Sequence, residues 1–121
     1  MNPATPSPEP PQGLECAGFP LLAQAGQLFK VLGDPSRLRL LQVLLGSPDP
    51  LGPSDLAKQA GLSGSTTSKH LALLVREGLV RRHAKGNQAW FEPVRPLVSQ
   101  VCAVVCEFVL ARSEASWREL Q

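Results

Sequence analysis

Two sets of residues in this chain have types and spacings suited to chemistry. The first is Ser65-Thr66-Thr67-Ser68-Lys69-His70, inside the stretch LSGSTTSKHLALLVREGLVRR that begins at Leu62. These residues open a predicted helix, although hydroxyl side chains compete with the helical backbone and lower its propensity. Compact hydroxyls let a helix N-terminus approach the floor of a B-DNA major groove and donate to phosphates and base edges. The partial positive charge of that terminus also favours phosphate. One capping serine explains Ser63 or Ser65, but not a run of hydroxyls followed by a lysine and a histidine. The second set is Cys102 and Cys106, in VCAVVCEF. A spacing of four puts two thiols on one helix face, with β-carbons about 5–6 Å apart. Suitable rotamers bring both sulfurs to one soft ion. A disulfide wants β-carbons about 3.5–4.5 Å apart and would strain an intact helix. The opposing reading is packing, since cysteine is also a small apolar residue and Val98, Val105 and Val109 flank the pair.

Periodicity predicts the elements that position these groups. Leu21, Leu22, Ala25, Leu28, Phe29 and Leu32 repeat at helical spacing and make a first helix from about Leu21 to Leu32. GDPSR interrupts it, with Asp34 as the cap and Pro35 as the first residue of a second helix to Leu45. That helix is expected to bury Leu38, Leu41, Val43, Leu44 and Leu45. After the loop GSPDPLGP, Ser54 is expected to cap a short third helix closed by Gly61. Ser63 caps the fourth, which runs to about Glu77 with Thr67, Leu71, Leu74 and Val75 inward. A hairpin follows, with strands at Leu79–His83 and Gln88–Glu92 and AKGN as the turn. One of Trp90 and Phe91 packs on the core. The last helix starts near Pro93 to Pro96 and is apolar around most of its circumference. The expected class is mainly α, a winged helix-turn-helix in the order α-α-α-α-β-β-α with a long C-terminal dimerisation helix.

Charge is concentrated where the hydroxyl run lies. The 121 residues carry a formal net charge of only +2, yet residues 58–95 alone carry +5. Arg81, Arg82, His83 and Lys85 sit on the hairpin, placed to reach a flanking DNA backbone or minor groove. Six of the twelve prolines fall in the first twenty residues, so residues 1–18 read as an extended tail and residues 19–118 as one domain. No apolar run approaches the ~18 residues of a membrane span, and MNPATPSPEPPQG has no signal-peptide character. A cytoplasmic protein without a membrane partner is expected. No Gly-rich phosphate loop, no His–carboxylate cluster and no tyrosine offer an enzyme's machinery. A winged helix that contacts only protein is the rival function.

LFKVLGDPSRLRLLQVLL, followed by DLAKQAGLSGSTTSKHLALLVREGLVRRHAKGNQAWFEP, resembles the ArsR/SmtB family of winged-helix repressors over about residues 20–110. The resemblance implies a homodimer joined by its first and last helices. It implies a repressor of double-stranded operator DNA, released by an inducer and needing no cofactor to bind. It carries DNA contacts to Gly64, Ser65, Ser68 and Lys69, and the residue reading adds Thr66, Arg81, Arg82 and Lys85. Gly64 stands where a polar residue such as glutamine is common in the family, and Thr67 where valine is usual. His70 matches a frequent family histidine, read as structural.

Family inducer sites narrow the choice of ligand. The third helix lacks a Cys-x-Cys motif, and the last helix lacks histidine. Gln42 occupies the place of a polysulfide-sensing cysteine. Cys102 and Cys106 remain, with Cys16 as third thiolate, because the resemblance lays the first helix against the last helix of the dimer. Zinc and cadmium prefer four ligands, whereas a three-thiolate pyramid suits As(III) or Sb(III). A persulfide or redox response, or no cysteine-based inducer, are the alternatives.

Overall fold

The computed structural model describes residues 13–119. A 3₁₀ turn at Leu14–Cys16 precedes α1 (Phe19–Leu32), α2 (Pro35–Leu45), α3 (Pro53–Ala60), α4 (Gly64–Arg76), β1 (Val80–Lys85), β2 (Gln88–Pro93) and α5 (Arg95–Glu119). The order is the one expected, and the chain is a mainly α winged helix-turn-helix.

Local chemistry sets the boundaries. Asp34 accepts hydrogen bonds from the backbone N–H groups of Ser36 (2.8 Å) and Arg37 (3.2 Å), and Pro35 takes the first helical position. The Arg37 N–H holds the Asp34 carboxyl below its usual range. α3 differs from expectation: it starts at Pro53 with Gly52 as its cap and no side-chain cap bond, so Ser54 lies inside the helix. Proline sets φ for that first position, and its missing N–H costs nothing there. Gly61 ends α3 at φ 71°, with its N–H on the Lys58 carbonyl and the Leu62 N–H on the Ala57 carbonyl. A β-carbon at Gly61 would meet nothing. The requirement there is the left-handed conformation, which costs other residues about 1–2 kcal/mol. That turn sets the angle between α3 and α4.

The hairpin is longer than predicted. Ala84 and Lys85 pair with Ala89 and Gln88, leaving a two-residue turn of Gly86 and Asn87 with Gly86 at φ 64°. Phe91 is the inward aromatic residue. It also exchanges backbone hydrogen bonds with Leu51 (2.8 and 2.9 Å), which staples the hairpin to the loop before α3.

The core gathers Leu40, Leu41 and Leu44 of α2, Leu56 of α3, and Leu71 and Leu74 of α4, closed by Val31, Leu79 and Val98. Leu40, not Leu38, is the fully buried leucine at the start of α2, and Leu38 is 41% exposed. The helical stripe 40-41-44 faces α3 and α4, which turns Leu38 toward α5. Thr67 is fully buried and its Oγ1 has no hydrogen-bond partner. A buried hydroxyl of this kind costs about 1–3 kcal/mol. Thr67→Val keeps the shape and removes the hydroxyl. It is expected to raise stability by about 1–2 kcal/mol, read as a higher urea midpoint at unchanged slope.

α5 corrects one expectation. The span Arg95–Ala115 is 21 residues with a mean hydropathy of 1.4, long and apolar enough to cross a membrane by length and composition. Scattered polar residues such as Ser99, Gln100 and Glu107 interrupt the run without offsetting its valines and leucines. Only 6% of this span is buried within the chain. Val104, Val105, Phe108 and Leu110 are exposed, as are Phe19 and Phe29 of α1. Ala25 and Phe29 of α1 and Leu97 and Val101 of α5 line a common apolar cleft, so the two helices share one uncovered face.

Candidate nucleic-acid interface and thiol groove

α4 begins at Gly64 with Ser63 as N-cap, and the Ser63 Oγ accepts the Thr66 N–H at 3.1 Å. One face of the helix is sealed in the core through Thr67, Leu71 and Leu74. Ser65, Ser68 and Lys69 lie on the exposed side, beside Gly64, and Thr66 is half-buried between them. Ser65 Oγ stands 3.4 Å from Ser63 Oγ. No atom lies within 4 Å of a β-carbon built on Gly64, so this end of the helix is open.

His70, one position on, turns inward and accepts a hydrogen bond at Nδ1 from Arg37 Nε at 3.2 Å. The same guanidinium donates to the Val31 carbonyl at 3.0 Å. Arg37 therefore ties α4 to α1 and α2. Periodicity had no means of finding this link, because it joins residues 33 positions apart.

The wing is rigidly joined to α4. Gly78, at φ 77°, ends the helix, and the Leu79 N–H returns to the Leu74 carbonyl at 2.9 Å. The strand register divides the basic residues. Arg81, His83 and Lys85 pair with Glu92, Trp90 and Gln88 on one face, while Arg82 pairs with Phe91 on the other. All four basic side chains are exposed. His83 Nε2 sits 2.7 Å from Glu92 Oε1, so a carboxylate shares the face of Arg81 and Lys85 and engages His83. Arg95 also leaves the basic stripe. It donates to the carbonyls of Leu44, Leu45 and Ser47, capping the end of α2 and fixing the start of α5.

Cys102 and Cys106 are free thiols, Cys102 half-buried and Cys106 exposed. Burial, followed by the neighbouring Cys106, pushes the Cys102 thiol above its ordinary value. Both line a groove of ≈ 580 Å³ between α2 and α5, with Leu38, Arg39, Gln42, Leu45 and Ala103. Arg39 spans from this groove toward the helix-turn-helix: one Nη donates to Gln42 Oε1 at 2.7 Å, the other to the Gln59 carbonyl near the end of α3 at 3.0 Å. Neither Arg39 nor the groove was found by sequence reasoning, because the partners belong to three helices. Cys16 closes the 3₁₀ turn before α1, and its side chain lies outside the described residues. Among the described residues, no group of three or more His, Cys, Asp or Glu is placed to hold a metal ion.

Comparison with known proteins agrees with this architecture. A family profile described as "Helix-turn-helix domain" matches residues 32–83, which span α2 to β1. The HTH-type transcriptional regulator Rv0081 of Mycobacterium tuberculosis is 32% identical over 93 residues, covering 77% of this chain and 80% of that protein. Its crystal structure superposes with a TM-score of 0.69 over 82% of this chain and 97% of that one, at 29% identity. The homodimeric winged helix-turn-helix DNA-binding domain Mb0332 of Mycobacterium bovis, described as a possible ArsR-family regulator, superposes at 0.66 with 24% identity over 77% of this chain and 89% of that one. The antimony-specific repressor AntR superposes at 0.68 with 23% identity over 94% of this chain and 96% of that one. By its sequence kinship over most of both chains, this chain belongs to the HTH-type transcriptional regulators, which are not enzymes, and its fold is the winged helix-turn-helix.

Proposed function

We propose that the chain is a homodimeric repressor that reads its operator with the two copies of α4 and leaves it when a soft trivalent metalloid binds thiolates on α5. The observation that carries the DNA reading is the outward set of Ser65, Ser68 and Lys69 on a helix whose opposite face is locked in the core. Gly64 lets the helix approach closely, Thr66 flanks the set, and Arg81, Arg82 and Lys85 supply phosphate contacts from the wing. Residues 19–118 are read as the working domain and residues 1–18 as its tail, of which residues 1–12 lie outside the described residues. DNA binding needs no cofactor, and a DNA-bound regulator works in the cytoplasm.

The shared apolar face of α1 and α5 is assigned to a second copy of the chain. A lone membrane helix would not need the matching apolar surface that α1 presents beside it through Phe19 and Phe29. Isologous packing of this face covers both helices at once.

As(III) or Sb(III) is the inducer we favour, held by Cys102 and Cys106 with Cys16 as the third thiolate. The fold neighbour AntR is named for the second of these elements. The groove is mechanically connected to the reading helix, because Arg39 links Gln42 to the Gln59 carbonyl and Gly61 then sets the turn into α4. A displacement of α5 against α2 needs to supply only the ordinary coupling of about 1–3 kcal/mol. Cys102→Ser and Cys106→Ser are expected to keep operator affinity and lose release by arsenite, measured by gel shift on the upstream DNA with reduced protein. Normal release in both variants would place the inducer elsewhere. A salt series on the same DNA tests the first half of the reading, since contacts to several phosphates weaken steeply as salt rises.

A further inference from the structure

Resting on the DNA reading above, we infer that Arg37 is a positioning residue for operator recognition. Through its bond to His70 it fixes the rotation of α4 about its own axis, and so what Ser65 and Ser68 can read. The inward face of α4 gives little control over that rotation. Thr67, Leu71 and Leu74 are buried there, and the Thr67 Oγ1 has no hydrogen-bond partner. Apolar contacts are non-directional, so a helix held by them alone can roll. A hydrogen bond is directional. Among the described residues, the bond from Arg37 Nε to His70 Nδ1, at 3.2 Å, is the side-chain hydrogen bond that joins α4 to another helix. At about 3.6 residues per turn, His70 lies about 60° around the helix from Thr67, on the flank between the buried face and the exposed one. A fixed distance at the flank resists rolling.

Arg37 is itself held. Its Nη1 reaches the carbonyl of Val31, a fully buried residue, at 3.0 Å, and its backbone N–H donates to Asp34 at 3.2 Å. Nε and Nη1 belong to one planar guanidinium, so anchoring one aims the other. Two kinds of DNA contact then respond differently when the tie is lost. Helix side chains reach a radius of about 5–6 Å, so a roll of about 20° carries a tip about 2 Å sideways. The short hydroxyl arms of Ser65 and Ser68 cannot follow a base edge that far, because a hydrogen bond spans only about 2.5–3.2 Å. Lys69, on a long flexible stem, keeps its phosphate. Loss of the tie therefore costs discrimination between sequences and leaves phosphate neutralisation in place.

The test uses full-length reduced protein in gel shifts on the DNA upstream of its gene and on a scrambled duplex of the same length, each over a salt series. Arg37→Lys keeps the charge but replaces the fork with a single ammonium. His70→Phe keeps a ring and removes the acceptor. Each is expected to lower affinity for the upstream DNA by at least about tenfold, equivalent to about 1.4 kcal/mol. Affinity for the scrambled duplex and the salt slope are expected to stay at wild-type values. His70→Asn, whose amide oxygen can stand where Nδ1 does, is expected to recover most of the loss. Combining Arg37→Lys with His70→Phe is expected to do no more harm than either alone, since both break the same bond. A melt by circular dichroism shows that the variants are folded, and the two His70 variants decide the matter if Arg37→Lys is not. Equal losses on both duplexes, an unchanged preference in both single variants, or a His70→Asn no better than His70→Phe overturns the inference and leaves the DNA reading standing. A wild-type chain that binds both duplexes alike overturns the DNA reading and the inference with it.

Discussion

Replacing Val105 and Phe108 together with aspartate is expected to give a folded monomer whose operator affinity is at least about a hundredfold lower. The two side chains lie three residues apart on α5, on one helix face, and are 50% and 64% exposed. They contribute little to the core that α2, α3 and α4 build, so their loss leaves that core intact. In a symmetric pair each substitution acts twice. Burying a large apolar side chain is worth about 1.5–3 kcal/mol, and a buried unpaired carboxylate costs several more. The seam cannot absorb four such changes. Operator affinity falls because a dimer presents two reading helices about 34–36 Å apart, matched to successive turns of one groove. Linkage of two binding events commonly raises affinity 10²- to 10⁴-fold over one. Sedimentation equilibrium, a thermal melt by circular dichroism and a gel shift measure the three components. A persistent dimer, or a monomer with undiminished affinity, would remove α5 from the role given to it.

Much of the fold was legible because its punctuation is local. Asp34-Pro35, Gly61, Ser63 and Gly78 act through their own backbone geometry or within three residues, so a single sequence reveals them. What escaped depends on contacts between distant segments. Leu38 and Leu40 are alike in type, and only the placement of α3 and α4 against α2 decides which is buried. Three arginines are structural ties between distant segments: Arg37 to His70, Arg39 to Gln59, and Arg95, counted in the basic window, to the end of α2. Counting charge along the chain therefore overstates the positive surface, and Glu92 beside His83 reduces it again. The thiol spacing was legible, but the groove beside it was not. A cavity belongs to two helices, and residues 38 and 103 say nothing of each other in one sequence.

Ser65→Glu is expected to keep the fold and lose the operator. Ser65 is exposed in the first turn of α4, and the cap at Ser63 does not depend on it. A carboxylate there faces the positive end of the helix dipole, a favourable placement worth about 0.3–1 kcal/mol. The melting temperature should therefore hold or rise slightly, which separates a binding defect from misfolding. On DNA the same carboxylate replaces a small donor with a larger, negatively charged acceptor at the closest approach of helix and groove. A good base-edge contact is worth about 1–3 kcal/mol, and the symmetric dimer forfeits two, so affinity should fall by about 30-fold or more. Lys69→Ala gives the complementary signature. It removes one cation per half-site, weakens binding across sequences, and lowers the slope of log affinity against log salt by about 0.9 for each phosphate that the lysine no longer neutralises. The pair tests the two jobs proposed for one helix end, reading for Ser65 and anchoring for Lys69. Operator affinity unchanged in Ser65→Glu would mean that the exposed end of α4 does not enter the groove, whatever the fold around it.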